Sequence, residues 1–431
     1  MDADLPLGAL REHTVSFDPP SANDVAAIPA PLSRSFDGAR IVGLGEATHG
    51  TRECFEHKGR LIRHLVSERG CRTVAFEADA AAAAALDAFV RDGSAFAETP
   101  RNAEFALAEL DMWQWRTASV RELLDWLRAF NADRAPDEQV RVRGVDLSTP
   151  SAPAAPLRAY FDRVDSKAEN EALRTVADAT VPDGAEERDR DEDDVSSAAE
   201  ALADRLAANR EAYESSSSAA WQTARHYCRV IEQACEWARV RHEHPGPHPA
   251  GMATRDRFMA ENALWALDRD PGSGVALWAH DGHVQRGSFD DGTSWSDVTT
   301  MGERLADELG DGYRPVGFDF AHGSFRAVGR GSGEVGTFSV GDPLEGSATA
   351  AFAAAEDAHY VLDLDSAADD ARLGPWLDAE RRTRYVGSVF DPDGDDEGTY
   401  AETDLPASFD WLLVLPESTP TAPTECRQQN P

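Results

Sequence analysis

Lysine is almost missing from this chain of 431 residues. It occurs only at Lys58 and Lys167, and arginine supplies the rest of the 42 basic side chains. Against them stand 78 acidic residues, for a formal net charge of −36. A surface that acidic repels nucleic acid and anionic lipid, so neither is an expected partner. It suits concentrated salt, where screening shortens carboxylate repulsion to about 3 Å at 1 M, and an acidic, halophilic protein of a salt-rich cytoplasm is expected. Cysteine is scarce too. Cys54, Cys71, Cys228, Cys235 and Cys426 form no C-x-x-C pair, show no zinc-ligand spacing and are odd in number, which does not suggest a disulfide framework and fits a reducing compartment. No apolar run approaches the roughly 18 residues of a membrane span, and MDADLPLGALREH has no basic n-region or apolar core of a signal peptide. A soluble, cytoplasmic protein is expected. The G-x-S-x-G elbow, the G-x-x-x-x-G-K-[ST] phosphate loop and H-E-x-x-H are all absent, which argues against a serine nucleophile, a P-loop nucleotide site and a zincin.

What is present is an alternation of short apolar runs with helical patterns, the signature of βαβ units. The runs are ARIVGLGE (39–46), RTVAFEA (72–78), VRVRGVD (140–146), GVALWAH (274–280) and YRPVGFDF (313–320). An amphipathic helix is expected near 52–68, stopped by Gly70, with helical stretches over 79–91, 103–131 and 301–310 and a helix starting near Arg255. Residues 151–250 show no strand pattern and read as helices broken by the acidic run 182–197, expected to be a solvated loop. HYVLDLD (359–365) and FDWLLVLPE (409–417) read as late strands, and the Pro- and Thr-rich segment from 418 as a frayed tail. The fold class is therefore α/β, with a mainly parallel central sheet flanked by helices, a helical insertion or lid, and extra C-terminal strands. The corresponding organisation is a discontinuous core over 36–150 and 251–417, an insertion over 151–250 and a flexible tail over 418–431.

Several of the runs end on an ionisable residue: Glu46, Glu77, Asp146, His280 and Asp319. Strands often end in polar loops, which accounts for any one of them. Parallel strands, however, would bring all of them to one sheet edge, where open α/β sheets bind ligands. Glu46 and His49 lie in the glycine-containing turn GLGEATHG, whose glutamate disfavours a phosphate-binding role. In the helix that follows, Lys58 sits among Phe55, Leu61, Ile62 and Leu65 on the apolar stripe. There it must either snorkel outward or find a carboxylate. WAHDGHV carries His280 and His283; each could be a base, a metal ligand or a structural hydrogen bonder.

The segments GLGEATHGTRECFEHKGRLIRHLV, VAFEADA, MWQWRTASVRELLDWLRAFN, VRGVDLS, RDRFMAENALWAL and WAHDGHV, in this order, resemble the erythromycin esterase family. The resemblance implies an α/β hydrolase that cleaves a carboxylic ester or lactone, the macrolactone of macrolide antibiotics in the resistance enzymes. It implies His49 as the general base supported by Glu46, with Glu77 and His280 as further catalytic residues. Lys58, His283, Arg255, Asp146 and Trp113 are expected on the substrate-binding side. The expected partner is a small-molecule ester or lactone, with no cofactor; substrate identity and oligomeric state stay open. Two rival readings use the same residues. Glu46, His49, Glu77, His280 and His283 form an O/N ligand set for zinc or manganese, against which Lys58 argues by repulsion. The family's distant relatives also include haem-binding lipoproteins, whose export needs an N-terminal lipid-modified cysteine, whereas the first cysteine here is Cys54.

Overall fold

The structure, a computed structural model, describes residues 6–19, 27–165, 171–179, 188–269, 272, 274–289 and 298–424. It is mixed α/β, with a large, largely parallel sheet flanked by helices. The strands are β1 (Thr14–Ser16), β2 (Ile41–Leu44), β3 (Thr73–Asp79), β4 (Arg141–Asp146), β5 (Val275–Trp278), β6 (Ser288–Phe289), β7 (Val298–Thr299), β8 (Tyr313–Gly329), β9 (Val335–Val340), β10 (Tyr360–Asp363), β11 (Arg381–Arg384), β12 (Val389–Phe390), β13 (Tyr400–Thr403) and β14 (Trp411–Ser418). Contacts divide the chain into two units. The first is Met1–Val74, Trp113–Leu123 and Gly272–Glu425; the second is Ala75–Met112, Leu124–Pro271 and Cys426–Pro431.

In the first unit the strand order is β1-β10-β14-β8-β2-β5, with β9 and β12 also on β8. The pairs β14/β8, β8/β2 and β2/β5 are parallel; β1/β10, β10/β14 and β8/β9 are antiparallel. IVGL of β2 is buried at every position, as a parallel strand covered on both faces must be. Gly43 in it is obligatory by size, because a Cβ there would lie 2.6 Å from the Tyr313 hydroxyl, which donates to the Val284 carbonyl. The helix Arg52–Glu68 follows β2 and ends where Gly70 takes φ +74°.

The second unit holds β4 beside β3 and the helices of 84–108 and 154–268. Leu157, Tyr160, Val176, Leu202, Leu206 and Ile231 belong to its apolar cluster. Among the described residues of 151–250 no strand occurs.

Several expectations need correction. The acidic run 182–197 is not a loop in its described part: residues 182–187 lie outside the described residues, and the helix Arg188–Ala208 takes up the rest. Val195, Ala198, Ala199, Leu202 and Leu206 bury one side of that helix, and this burial carries its acidic first turns along. The strand read as 313–320 continues to Gly329. Its first half is buried on both faces and reads as a continuous apolar run, whereas beyond Ala321 burial alternates where β9 pairs with it, and the run breaks off. Residues 418–424 are not frayed, because Pro420 bridges to Thr51 and Pro423 to Thr117; residues 425–431 lie outside the described residues. The helix expected near Arg255 starts at Pro249, capped by His248, whose ring accepts the Ala250 N–H at 3.1 Å.

Candidate active site

The turn after β2 is clamped by main-chain bonds from distant segments. Gly45 N–H donates to Val316 at 2.9 Å, Ala279 N–H to Leu44 at 3.1 Å, Asp281 N–H to Glu46 at 3.0 Å and Val386 N–H to Ala47 at 2.8 Å. Gly45 and Gly50 are demanded by crowding: a Cβ would strike the Asp281 carboxyl at the first and the Arg326 backbone at the second. A turn so fixed holds its side chains in one geometry.

Glu46 is wholly buried with both oxygens engaged. His49 Nδ1 donates to Oε1 at 2.7 Å; Lys58 Nζ at 2.6 Å and Trp278 Nε1 at 3.0 Å donate to Oε2. Lys58 is itself 0 % exposed, gives a second bond to the Ala279 carbonyl at 3.0 Å and lies 4.8 Å from the Trp278 ring centroid. The carboxylate that the apolar setting of Lys58 demands is therefore Glu46. Burial pushes the Glu46 carboxyl up, but the Lys58 charge and the His49 bond outweigh it and hold the pKa below the ordinary glutamate value. Glu46 is thus an anion that fixes the His49 tautomer: Nδ1 carries the proton and Nε2 the lone pair.

The His280 ring lies 4.9 Å from that of His49. Its Nδ1 accepts the Gly282 N–H at 3.1 Å, capping the one-turn helix Asp281–Val284, so the neutral ring carries its proton on Nε2, 3.3 Å from the Val386 carbonyl. Tyr385 stands edge-on to this ring at 4.8 Å. His283 lies buried on the same one-turn helix. Asp281 is buried, and both its oxygens lie 3.2 Å from the Phe318 N–H. Burial pushes its carboxyl well above the ordinary aspartate range, against the Lys58 charge and the Phe318 N–H. Trp113 is half-buried, with the Arg326 guanidinium 5.1 Å over its ring.

The second unit brings Glu77, Asp146 and Arg255 together. Arg255 Nε and Nη2 grip Asp146 at 2.9 and 2.7 Å, and Nη2 also meets Glu77 at 2.7 Å. Burial works against the guanidinium charge, yet the two acids hold its pKa well above the arginine norm. Asn262, on the same helix, donates to the Val145 carbonyl at 2.9 Å.

Asp319, expected at a strand end, lies inside β8 and makes a separate network. It accepts from the Thr349 hydroxyl at 2.8 Å and from the N–H groups of Phe320 and Arg384. Burial pushes its carboxyl up to about 7. Trp278, Asp281, Tyr385 and Val386 are the neighbours that sequence reasoning missed. Trp278 and Asp281 border His280 in WAHDGHV and could have been found there, but nothing in the pattern of RYVGS marks Tyr385 or Val386. Among the described residues no group of three His, Cys, Asp or Glu side chains could hold a metal ion.

The family model described as erythromycin esterase matches residues 66–418, most of the chain. The chain belongs to the erythromycin esterase family. The match begins after Glu46, His49 and Lys58. An erythromycin esterase type II from Escherichia coli is 23 % identical over 342 residues, which cover 74 % of this chain and 78 % of that protein. Among solved structures, a protein from Bacillus cereus superposes with TM-score 0.79 at 23 % identity, covering 96 % of this chain and 97 % of that one. A succinoglycan biosynthesis protein gives 0.77 at 20 %, with the same coverage. A mutant of the erythromycin esterase EreC in its open conformation gives 0.66 at 19 %, covering 92 % and 95 %. Membership supports a hydrolase of the esterase type acting on a small molecule, and among the described residues no helix is long and apolar enough to cross a membrane.

Proposed function

We propose that the protein hydrolyses a carboxylic ester or lactone with water activated by His49. The observation that carries this reading is the short Glu46–His49 bond, which aims the Nε2 lone pair away from the carboxylate. His49 Nε2 takes a proton from water as the oxygen attacks the acyl carbonyl. The intermediate then collapses, and the same proton passes to the departing alkoxide. Glu46 stabilises the transient imidazolium. His280 stands beside His49, and its Nε2–H leaves the Val386 carbonyl to donate to the developing oxyanion. Lys58 is too buried to touch substrate and acts as a positioning residue through Glu46. Glu77, ionised against Arg255, is an acceptor rather than an acid, and Arg255 and Asp146 hold it in place. Trp113 and His283 remain on the substrate-binding side. The net charge of −36 adapts the surface to concentrated salt.

The test is a panel of esters and lactones, macrolides among them, assayed in high salt. His49→Ala should lose roughly 10²–10⁴-fold in kcat with an unchanged circular dichroism spectrum. Retention of most turnover in the folded variant would exclude His49 as the base.

A further inference from the structure

Arg326 and Thr421 meet the carbonyl of Gly50, the residue after His49, through their main chains, and side-chain groups of Thr51, Arg326 and Thr421 stand buried without a partner among the described residues. That carbonyl accepts the main-chain N–H groups of Arg326 at 3.2 Å and Thr421 at 2.8 Å. The Thr421 hydroxyl, the hydroxyl of the adjacent Thr51 and the terminal Nη1 of Arg326 are all buried and have no hydrogen-bond acceptor or donor among the described residues. Other buried arginine nitrogens in this condition are Nε atoms, on Arg60, Arg63, Arg141, Arg304, Arg314 and Arg384; among the described residues Arg326 alone has a buried terminal nitrogen unmatched. A half-buried guanidinium with no carboxylate beside it among the described residues is unexpected in a chain where acids outnumber bases nearly two to one. Burial has lowered its pKa, with no acid acting to raise it.

Arg326 lies over Trp113, and a guanidinium stacked on an aromatic face keeps its N–H donors in its own plane. That plane matches the two oxygens of a carboxylate, and one guanidinium balances one negative charge. Resting on the reading that His49 activates water for ester cleavage, we propose that Arg326, together with Thr51 and Thr421, forms an anion subsite. The substrate would then be an ester or lactone that carries a carboxylate. A cationic amino sugar would be repelled at the same place, so the subsite selects against amino-sugar macrolides.

The test compares three esters of matched size in concentrated salt, which screens the overall negative charge: the monoethyl ester of glutaric acid, its neutral diethyl ester and a cationic amino ester. The wild type should favour the monoanion over the neutral ester at least tenfold in kcat/KM and turn over the cation slowest. In Arg326→Gln this ratio should drop to about one, and Arg326→Lys should restore part of it. A wild-type ratio near one, or a ratio unchanged in Arg326→Gln, would overturn the proposal, as would an equal loss on both esters. A second readout needs no turnover: glutarate should raise the thermal midpoint of the wild type and leave that of Arg326→Gln unmoved, and an equal response in both proteins overturns the subsite. If no ester is cleaved but glutarate protects only the wild type, the hydrolase reading falls and the anion subsite stands. His49-dependent cleavage without charge preference has the opposite meaning.

Discussion

Replacing Lys58 with methionine isolates the electrostatic core of the site. Methionine fills the aliphatic space but removes the ammonium group, leaving the Glu46 carboxylate buried with only His49 and Trp278. At the 2.6 Å separation of the pair, a unit-charge attraction is about 6 kcal/mol at an effective dielectric constant of about 20. Part of that offsets the desolvation of both groups, and removing one member of a buried pair costs about 3–5 kcal/mol. For a unit of this size the loss lowers the thermal midpoint by roughly 6–20 °C. The pH dependence has a defined sign. The pair lowers the folded pKa of Glu46, so its stabilisation is present above the ordinary value of 4.5 and is lost as pH falls below it toward the folded value. In Lys58→Met burial is opposed by His49 alone and the Glu46 pKa rises, so the anionic acceptor of the His49 Nδ1–H is weakened and kcat should fall with stability. Scanning calorimetry of wild type, Lys58→Met, Glu46→Gln and the double variant from pH 4 to 8 measures the coupling. The gap between wild type and Lys58→Met should be widest near pH 8 and close toward pH 4, and the double variant should recover at least half of the single-variant loss. A gap that ignores pH, or a double variant no more stable than Lys58→Met, would refute the reasoning.

Asp319 has a folded pKa raised from 3.8 to about 7, so the native state holds a proton that the unfolded chain releases. Stability should decline as pH rises between these values, by at most about 4 kcal/mol. Asp319→Asn should flatten that decline in calorimetry at pH 5 and 8, and an undiminished slope would show that other groups cause it. The net charge of −36 predicts loss of structure on dialysis into dilute buffer, followed by circular dichroism, and a chain equally stable at 10 mM and 2 M potassium chloride would not be salt-adapted.

The site was legible where one chemical demand acts along one local segment. Lys58 on an apolar stripe requires an acid, and the period of the helix Arg52–Glu68 is enough to say so. The glycines of GLGEATHG announce close approach of other backbone. Which acid answers Lys58 is another matter, because Glu46 lies twelve residues upstream and Glu77 further downstream, and spacing does not rank them. Arg255 likewise reads as a buried cation on a helix face, whereas its grip on Asp146 and Glu77 depends on packing against segments more than one hundred residues away.

By itself the sequence determined the positions of the apolar strands, the helix between the first two and the demand for an acid near Lys58, because hydrophobic periodicity and the cost of burying charge operate over a few residues. Tertiary structure alone decided that β8 runs on past Phe320, that the acidic stretch from Arg188 is helical, and that Val386 and Asp281 clamp the Glu46 turn. Each of these rests on contacts between segments remote in sequence, whose energy exceeds any local preference and leaves no mark in the local pattern.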